Sequence, residues 1–228
     1  ARRAGLSLAK LLGAQRDAVR CYNTSGGFLH TPTAQLLANA QASRERGIGG
    51  IKLKVGQPDG RLDLERVAAV RKHLGDDAPL MVDANQQWSR PTAQRMCRAL
   101  EAFNLVWIEE PLDAYDHEGH AALCAALDTP IATGEMLTSA LEHAELIRHR
   151  AADWLMPDAP RVGGITPFLK IAALAEHAGL MLAPHFAMEL HVHLAATYPS
   201  EPWVEHFDWL EPLFEERLES SSDPEVQR

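Results

Sequence analysis

Short apolar runs alternate along the chain with amphipathic segments. Eight runs have the length and composition of β-strands: "VRCYNT", "GIKLKV", "LMVDAN", "LVWIEE", "PIATGE", "DWLMPDA", "GLMLAPH" and "WVEHF". The segments between them show helical spacing, as in "TPFLKIAALAEHAG", whose apolar positions are Phe168, Ile171, Ala172, Leu174 and Ala175. Gly47, Gly75 and Gly179 follow three of these segments, as residues that end helices do.

This alternation predicts one parallel α/β sheet, for which a doubly wound sheet and a closed eightfold barrel both fit. No Gly-x-Gly-x-x-Gly pattern follows the first strand, which argues against dinucleotide binding. The count of eight strands and their even spacing favour a TIM-type (β/α) barrel over residues 1–215. We expect "ARRAGLSLAKLLG" to be the tail of a helix that ends at Gly13, and the polar residues 216–228 to form a disordered tail.

Composition narrows the possible partners and the compartment. The chain has 228 residues, of which 46% are hydrophobic, and a net charge of −9. This charge argues against nucleic acid or an anionic membrane as the main partner. No apolar segment reaches the roughly 18 residues of a membrane span, and no secretory signal opens the chain. Cys21, Cys97 and Cys124 are odd in number and widely separated, which predicts reduced thiols in the cytoplasm.

The stretch "GIKLKVG" places two lysines, Lys52 and Lys54, on the same face of a predicted strand. An edge strand with a solvated face would explain them without any functional role. The other strands argue against that explanation, because each ends in polar or ionisable residues: Asp83, Asn85, Glu109, Glu110, Glu135, Asp158, His185 and Glu205. In a barrel these residues share the end at which active sites are built.

Asp83, Glu109 and Glu135 come from three consecutive strands. Converging carboxylates repel one another by about 4 kcal/mol per pair at 4 Å and an effective dielectric constant of 20. A hard divalent cation relieves that repulsion, and an all-oxygen ligand set indicates Mg²⁺ or Mn²⁺. Helix capping or pairing with arginines is the alternative for each carboxylate taken alone.

Asp158 and His185 come from the neighbouring sixth and seventh strands, so the carboxylate is expected to orient the imidazole. The other histidines, including His191 and His193, are interpreted as surface or packing residues. Mutual repulsion and a nearby cation are expected to lower the pKa values of the lysine pair, so that one lysine acts as a base and the other binds a substrate carboxylate.

Together these motifs resemble the enolase superfamily, in its mandelate racemase branch. The resemblance rests on "IKLKVG", "VDANQQW", "WIEEPL", "ATGEML", "MPDAPRVGG" and "APHFAMELHVHLAA". Within the branch, "CYNTSGGFLHTP", "GGIKLKVGQPD", "EEPLDAYD" and "YPSEPWVEHF" are similar to acid-sugar dehydratases of the L-talarate/galactarate type.

The resemblance implies a role for each site residue. Asp83, Glu109 and Glu135 would bind one Mg²⁺ per subunit. Lys54 and His185 would be opposing acid/base groups, with His185 oriented by Asp158. Lys52, Asn85 and Glu205 would contact or surround the substrate carboxylate.

The implied reaction is a dehydration of an aldarate, a sugar diacid. The proton α to a carboxylate would be removed through a metal-stabilised enediolate, and the β-hydroxyl would then be eliminated. A racemase or epimerase of a 2-hydroxy acid and a catalytically inactive barrel are the alternatives. Family members also carry an N-terminal α+β capping domain, which this chain is expected to lack, and often form homo-oligomers.

Overall fold

Eight strands and eight α-helices alternate along residues 1–215, which are the residues that the computed structural model describes. The strands are β1 (Arg20–Asn23), β2 (Gly50–Lys54), β3 (Leu80–Asp83), β4 (Ile108–Glu109), β5 (Ile131–Thr133), β6 (Trp154–Leu155), β7 (Met181–Leu182) and β8 (Trp203–His206). The helices are α1 (Leu8–Leu11), α2 (Thr33–Glu45), α3 (Gly60–Leu74), α4 (Arg90–Leu100), α5 (His117–Ala126), α6 (Ala140–Arg148), α7 (Ile165–His177) and α8 (Met188–Ala195). Short 3₁₀ helices span Arg2–Ala4, Glu101–Phe103 and Glu211–Leu213.

All the recorded strand pairs are parallel, and the sheet order is β7-β6-β5-β4-β3-β2-β1-β8. Because β1 pairs with both β2 and β8, the sheet curves into a nearly closed barrel, which confirms the predicted fold class. No β7–β8 pairing is recorded within residues 1–215. Between these two strands, the backbone N–H of Phe186 donates a hydrogen bond to Glu205 Oε2 at 3.0 Å.

Side chains fill the barrel from inside and outside. One buried cluster is rich in aromatic and sulfur-containing residues from the strands and their flanks: Tyr22, Met81, Trp107, Ala132, Trp154, Met156, Ala183 and Trp203. Two larger apolar clusters lie between the strands and the surrounding helices. In α7, Phe168, Ile171, Ala172 and Ala175 are buried as predicted, but Leu174 is 39% exposed. The predicted apolar face of α7 is therefore one residue too wide.

The first residues differ from the predicted helix tail. They form two short helical pieces, Arg2–Ala4 and α1, because Gly5 adopts a left-handed conformation (φ 64°) and Ser7 caps α1 by accepting a hydrogen bond from the Lys10 N–H. The prediction of one helix was therefore wrong, although Gly13 (φ 85°) does follow α1 closely. The predicted tail at 216–228 lies outside the described residues, and the domain boundary at 215 stays a prediction.

Gly27 shows why the loop after β1 carries small residues. A Cβ atom at this position would lie 2.3 Å from the Lys52 carbonyl oxygen. Only glycine can approach β2 so closely, and its carbonyl accepts a 2.7 Å hydrogen bond from the Lys54 N–H. Among residues 1–215, no helix combines the length and the apolar character required to cross a membrane.

Candidate active site

A cavity of about 520 Å³ opens at the carboxyl ends of the strands. Seven of the nine predicted site residues line it: Lys52, Lys54, Asn85, Glu135, Asp158, His185 and Glu205. The other two, Asp83 and Glu109, are fully buried and contact the lining lysines. The structure thus brings all nine residues together at one end of the barrel.

Asp83, Glu109 and Glu135 each present a carboxylate oxygen, and these oxygens lie within 4.8 Å of one another. Burial raises the pKa of Glu109 well above its ordinary value, with Asp83 adding to the effect. Burial and Asp83 likewise raise the pKa of Glu135 to about 8. Three buried oxygens at this separation fit a hard divalent cation, because its charge would offset both burial and mutual repulsion.

Lys52 lies beneath this carboxylate cluster. Its Nζ atom is 2.6 Å from Glu109 Oε1, 2.8 Å from Glu205 Oε1 and 3.7 Å from Asp83 Oδ2. The side chain is 1% exposed, and Nζ also lies 5.1 Å from the centre of the Tyr22 ring. Lys52 therefore supplies positive charge to three buried carboxylates at once.

The predicted lowering of the lysine pKa values does not hold for Lys52 among the protein's own charged groups. Burial opposes the charged form, but the carboxylates of Glu109 and Glu205 outweigh burial and raise the pKa of Lys52 well above its ordinary value. The difference comes from the carboxylates that face Lys52 from β4 and β8, which the pattern along β2 does not show. Lys52 is therefore a charged group and not a candidate base.

Lys54 occupies the open side of the same cluster. Its Nζ contacts Asp83 Oδ2, and its side chain is 19% exposed in the cavity wall. The backbone N–H of Asn85 donates to Asp83 Oδ1 at 2.8 Å, so Asp83 is held from two sides. Lys54 is the lysine of the pair that a bound molecule can reach.

Asp158 and His185 form the predicted pair, and His185 lies near Glu135 whereas Lys54 contacts Asp83. His185 Nδ1 is 3.0 Å from Asp158 Oδ2, and His185 Nε2 is 3.7 Å from Glu135 Oε2. The bond from His185 lowers the pKa of Asp158 against the effect of its burial. An ionised Asp158 orients the imidazole, and the Nε2 edge of His185 is left towards the carboxylate cluster.

Glu205 connects the two sides of the site. It accepts a 2.7 Å hydrogen bond from Thr24 Oγ1 and forms the ion pair with Lys52. Burial acts to raise its pKa, but Lys52 and His185 overcome that effect and lower the pKa to about 2. Glu205 is thus a buried anion that balances the positive charge of Lys52.

Two residues beneath the cluster were missed by sequence reasoning. Trp107 Nε1–H donates to Glu109 Oε2 at 3.0 Å, and Tyr22 lies against Lys52 with its hydroxyl buried and without a hydrogen-bond partner among the described residues. Trp107 could have been found, since it lies two positions before Glu109 and so shares its strand face.

The loops after β3 and β4 are connected by a further pair that sequence reasoning did not identify. Gln86 donates from Nε2 to Glu110 Oε2 at 2.9 Å and accepts the Ala114 N–H at 3.1 Å. Asn85, Gln86 and Glu110 all have positive φ angles, of 42°, 66° and 39°. Such conformations are costly for residues other than glycine, so the connections between the loops must stabilise them.

A second group of potential ligands, His206, Asp208 and Glu211, lies outside the cavity wall. Arg46 contacts all three, at 2.5 Å from Asp208 Oδ1, 2.6 Å from Glu211 Oε1 and 3.4 Å from His206 Nε2. The guanidinium already balances these carboxylates, so this group is an ion-pair network.

The chain is similar to known proteins over most of its length. A family model described as enolase C-terminal domain-like matches residues 35–227. L-talarate/galactarate dehydratase of Salmonella typhimurium (strain LT2) is 70% identical over 219 residues, which are 96% of this chain and 55% of that protein. A 3,6-anhydro-alpha-L-galactonate cycloisomerase of Streptomyces coelicolor is 40% identical and covers 89% of this chain and 56% of its own length. The chain thus spans little more than half of these curated relatives.

A solved structure shows the same fold. L-talarate dehydratase from Polaromonas sp. JS666, complexed with Mg and L-glucarate, superposes with a TM-score of 0.94 at 83% identity, covering 97% of this chain and 62% of that one. The extent of the family match and the identity to these relatives show that the chain belongs to the enolase superfamily, as a member with its C-terminal barrel fold.

Proposed function

We propose that this chain is the catalytic barrel of a Mg²⁺-dependent acid-sugar dehydratase of the L-talarate/galactarate type. One observation carries the proposal: three buried carboxylates lie within 4.8 Å of one another, with Lys54 against Asp83 at one end and His185 near Glu135 at the other. The names of the Salmonella and Polaromonas relatives supply the substrate class, an aldarate.

Asp83, Glu109 and Glu135 would hold one Mg²⁺. When bound, the ion supplies positive charge that favours the extra negative charge formed on a substrate carboxylate as its α-proton leaves. Lys52, which is charged and buried, contributes to the same stabilisation, and Asn85 and Glu205 shape the cavity wall beside it.

Lys54 and His185 would carry the protons. Their side chains are 19% and 16% exposed in the cavity wall, compared with 1% for Lys52, so both can reach a substrate carbon. One group takes the α-proton. The β carbon–oxygen bond then breaks, a proton from the acid group joins the departing hydroxyl as water, and the enol product rearranges to a 2-keto-3-deoxy acid. Asp158 keeps His185 in the tautomer that presents Nε2.

The direct test is incubation of the purified chain with galactarate and Mg²⁺ in D₂O, followed by proton NMR and a carbonyl assay. A 2-keto product supports the dehydratase. Loss of product in both Lys54→Met and His185→Asn, with Mg²⁺ binding retained, supports the two assigned acid/base roles. Product formation at the parent rate in either variant would contradict them.

The same experiment separates the alternatives. Lys54 and His185 on two sides of the carboxylate cluster also suit an epimerase, which would invert the substrate and form no 2-keto acid. A barrel that folds and binds Mg²⁺ but gives neither product is inactive as this chain. A variant extended by a family-type capping domain would then show whether closure of the cavity restores turnover.

We also propose that the protein acts in the cytoplasm and as a homo-oligomer. All three cysteines are free, which suits a reducing compartment. Exposed Tyr115, Leu141 and Leu213 provide apolar surface for contacts between subunits, and sedimentation velocity at several concentrations tests this expectation.

A further inference from the structure

His191 is a fully buried histidine of α8 that lies between two loops of the candidate site. Its Nε2 atom accepts a hydrogen bond from the backbone N–H of Ala159 at 3.0 Å. Its Nδ1 atom lies 2.9 Å from the carbonyl oxygen of Phe186. Both partners are backbone groups of loops that follow strands, and neither belongs to α8.

These hydrogen bonds determine which nitrogen of the His191 ring carries the proton. Because Nε2 accepts from an N–H, the ring proton must be on Nδ1, where it donates to the Phe186 carbonyl. Burial lowers the pKa of His191, which keeps the ring neutral as this arrangement requires. Phe168 stacks on the ring at 5.6 Å between centroids and fixes its plane.

The two loop partners are the residues that follow the candidate catalytic pair. Ala159 follows Asp158, and Phe186 follows His185. Phe186 and Ala187 have φ angles of 62° and 24°, so the chain just after His185 is strained and needs support from its surroundings. Apart from the Asp158–His185 contact, the hydrogen bonds that join these loops within residues 1–215 are a 3.3 Å bond from the His185 N–H to the Pro157 carbonyl and the bridge through His191.

Two other fully buried histidines show that this arrangement is not a general result of packing. His120 and His143 each bond through Nδ1 to the carbonyl of the residue four positions earlier, Asp116 and Ser139. Their Nε2 atoms have no hydrogen-bond partner among the described residues. The His120 ring is bonded within its own segment, and the His143 ring also lies against the Gly134 backbone, whereas His191 connects two loops of the candidate site.

We propose that His191 is a positioning residue, which holds the loops after β6 and β7 in the register that joins Asp158 to His185. The inference rests on the proposed function, because positioning by His191 matters for catalysis only if His185 is an acid/base group. It concerns only the geometry of the pair, so it can be tested without turnover.

The test uses the full chain with ¹⁵N-labelled histidine, in which the parent should show a hydrogen-bonded Nδ1–H signal from His185. In His191→Phe we expect that signal to be lost, or its exchange with solvent to accelerate at least tenfold. Mg²⁺ affinity, measured by calorimetry, should stay within threefold of the parent. His120→Phe, the matched control, should change neither quantity, because His120 bonds within its own segment.

Two partial variants keep the test decisive if the phenylalanine variant fails to fold. His191→Asn can retain the donor to Phe186, and His191→Gln can place an acceptor near the Ala159 N–H. In each of these two variants, we expect the His185 Nδ1–H to exchange with solvent faster than in the parent and more slowly than in a variant without either hydrogen bond. An unchanged His185 signal in all folded variants would overturn the proposal, as would the same loss of signal in His120→Phe.

The proposed function and this inference fail differently. Absence of turnover in both the parent and the variant extended by a capping domain, with the His185 signal sensitive to His191, contradicts the proposed activity and leaves the positioning role supported. Turnover in the parent, with a His185 signal that is unchanged in the His191 variants, supports the proposed activity and contradicts the positioning role.

Discussion

Strands and loops bring functional groups to the same cavity in different ways. On one side, Lys54, Asp83 and Glu109 are register partners in β2, β3 and β4. Hydrogen bonding between these strands therefore fixes their positions along the barrel axis. On the other side, Asp158 and His185 lie in loops beyond Leu155 and Leu182, the last residues of β6 and β7.

This difference explains where further support is required. A side chain on a central strand is positioned by backbone pairing that the whole barrel maintains. A side chain on a loop depends on local hydrogen bonds, here to His191, Glu205 and the Pro157 carbonyl. We therefore expect the strand side to respond to changes in charge and the loop side to changes in connecting residues.

The largest effect is expected from Lys52→Met. This change leaves the buried carboxylates of Glu109 and Glu205 without their cation, and breaking a buried pair in this way costs about 3–5 kcal/mol. Urea unfolding should show this loss, and Mg²⁺ should recover part of it by replacing the missing charge. Lys72→Met, on an exposed site, should stay within about 0.5 kcal/mol of the parent. A loss below about 1 kcal/mol in Lys52→Met would show that the lysine is not essential to the strand side.

The second prediction concerns the metal. Glu109→Gln should weaken Mg²⁺ binding by at least about 100-fold, or about 2.8 kcal/mol, because a charged ligand becomes neutral. Glu110→Gln is the matched control, since Glu110 is also fully buried but bonds to Gln86 outside the cavity wall. Calorimetric titration measures both variants. Equal affinities in Glu109→Gln and the parent would remove Glu109 from the ligand set.

The third prediction uses acid against the neutral histidines. Burial lowers the pKa of His120, His143 and His191 from the ordinary value of 6.5. The unfolded chain takes up protons below pH 6.5 while the folded chain resists them, so these residues make the free energy of unfolding fall between pH 6.5 and 5. The loss reaches about 1.4 kcal/mol per histidine for each pH unit below 6.5.

Glu110 and Glu135 have raised pKa values, so they make the free energy of unfolding rise as the pH falls, opposite to the histidines. Comparing histidine variants with the parent cancels this carboxylate contribution. The free energy of unfolding, measured in urea at several pH values, should fall less steeply in His143→Phe and His191→Asn than in the parent. Parallel curves would show that these rings are protonated as readily in the folded chain as in the unfolded one.

Much of the strand side was predictable from the sequence. Alternation along β2 places Lys52 and Lys54 on one face, and the parallel register of the strands brings Asp83 and Glu109 level with Lys54. The charge state of Lys52 was not predictable by the same reasoning, because it depends on carboxylates of β4 and β8 whose distances a pattern cannot supply.

The loop side was predictable only in part. Asp158 and His185 could be paired because β6 and β7 are neighbours, but the connections that hold them are backbone groups with no sequence pattern. His191 did carry a signal: Met188, Leu194 and Ala195 give it a place on the buried face of α8. A buried histidine needs hydrogen-bond partners, so its interpretation as a surface or packing residue overlooked a connecting role.

The smallest effect on Mg²⁺ binding is expected from Gln86→Ala, which removes a loop connection from the strand side. The variant leaves Glu110 Oε2 without its 2.9 Å partner and frees three residues of positive φ, so the protein should lose about 1–3 kcal/mol of stability. Mg²⁺ affinity should nevertheless change less than threefold, about 0.6 kcal/mol, because the β3–β4 ladder holds Asp83 and Glu109 without the loop. Urea unfolding and calorimetric titration of the same sample measure the two quantities. If Gln86→Ala weakened Mg²⁺ binding as strongly as Glu109→Gln, the strand side would depend on its loops as much as the His185 side does, and the contrast between strand-borne and loop-borne groups would be lost.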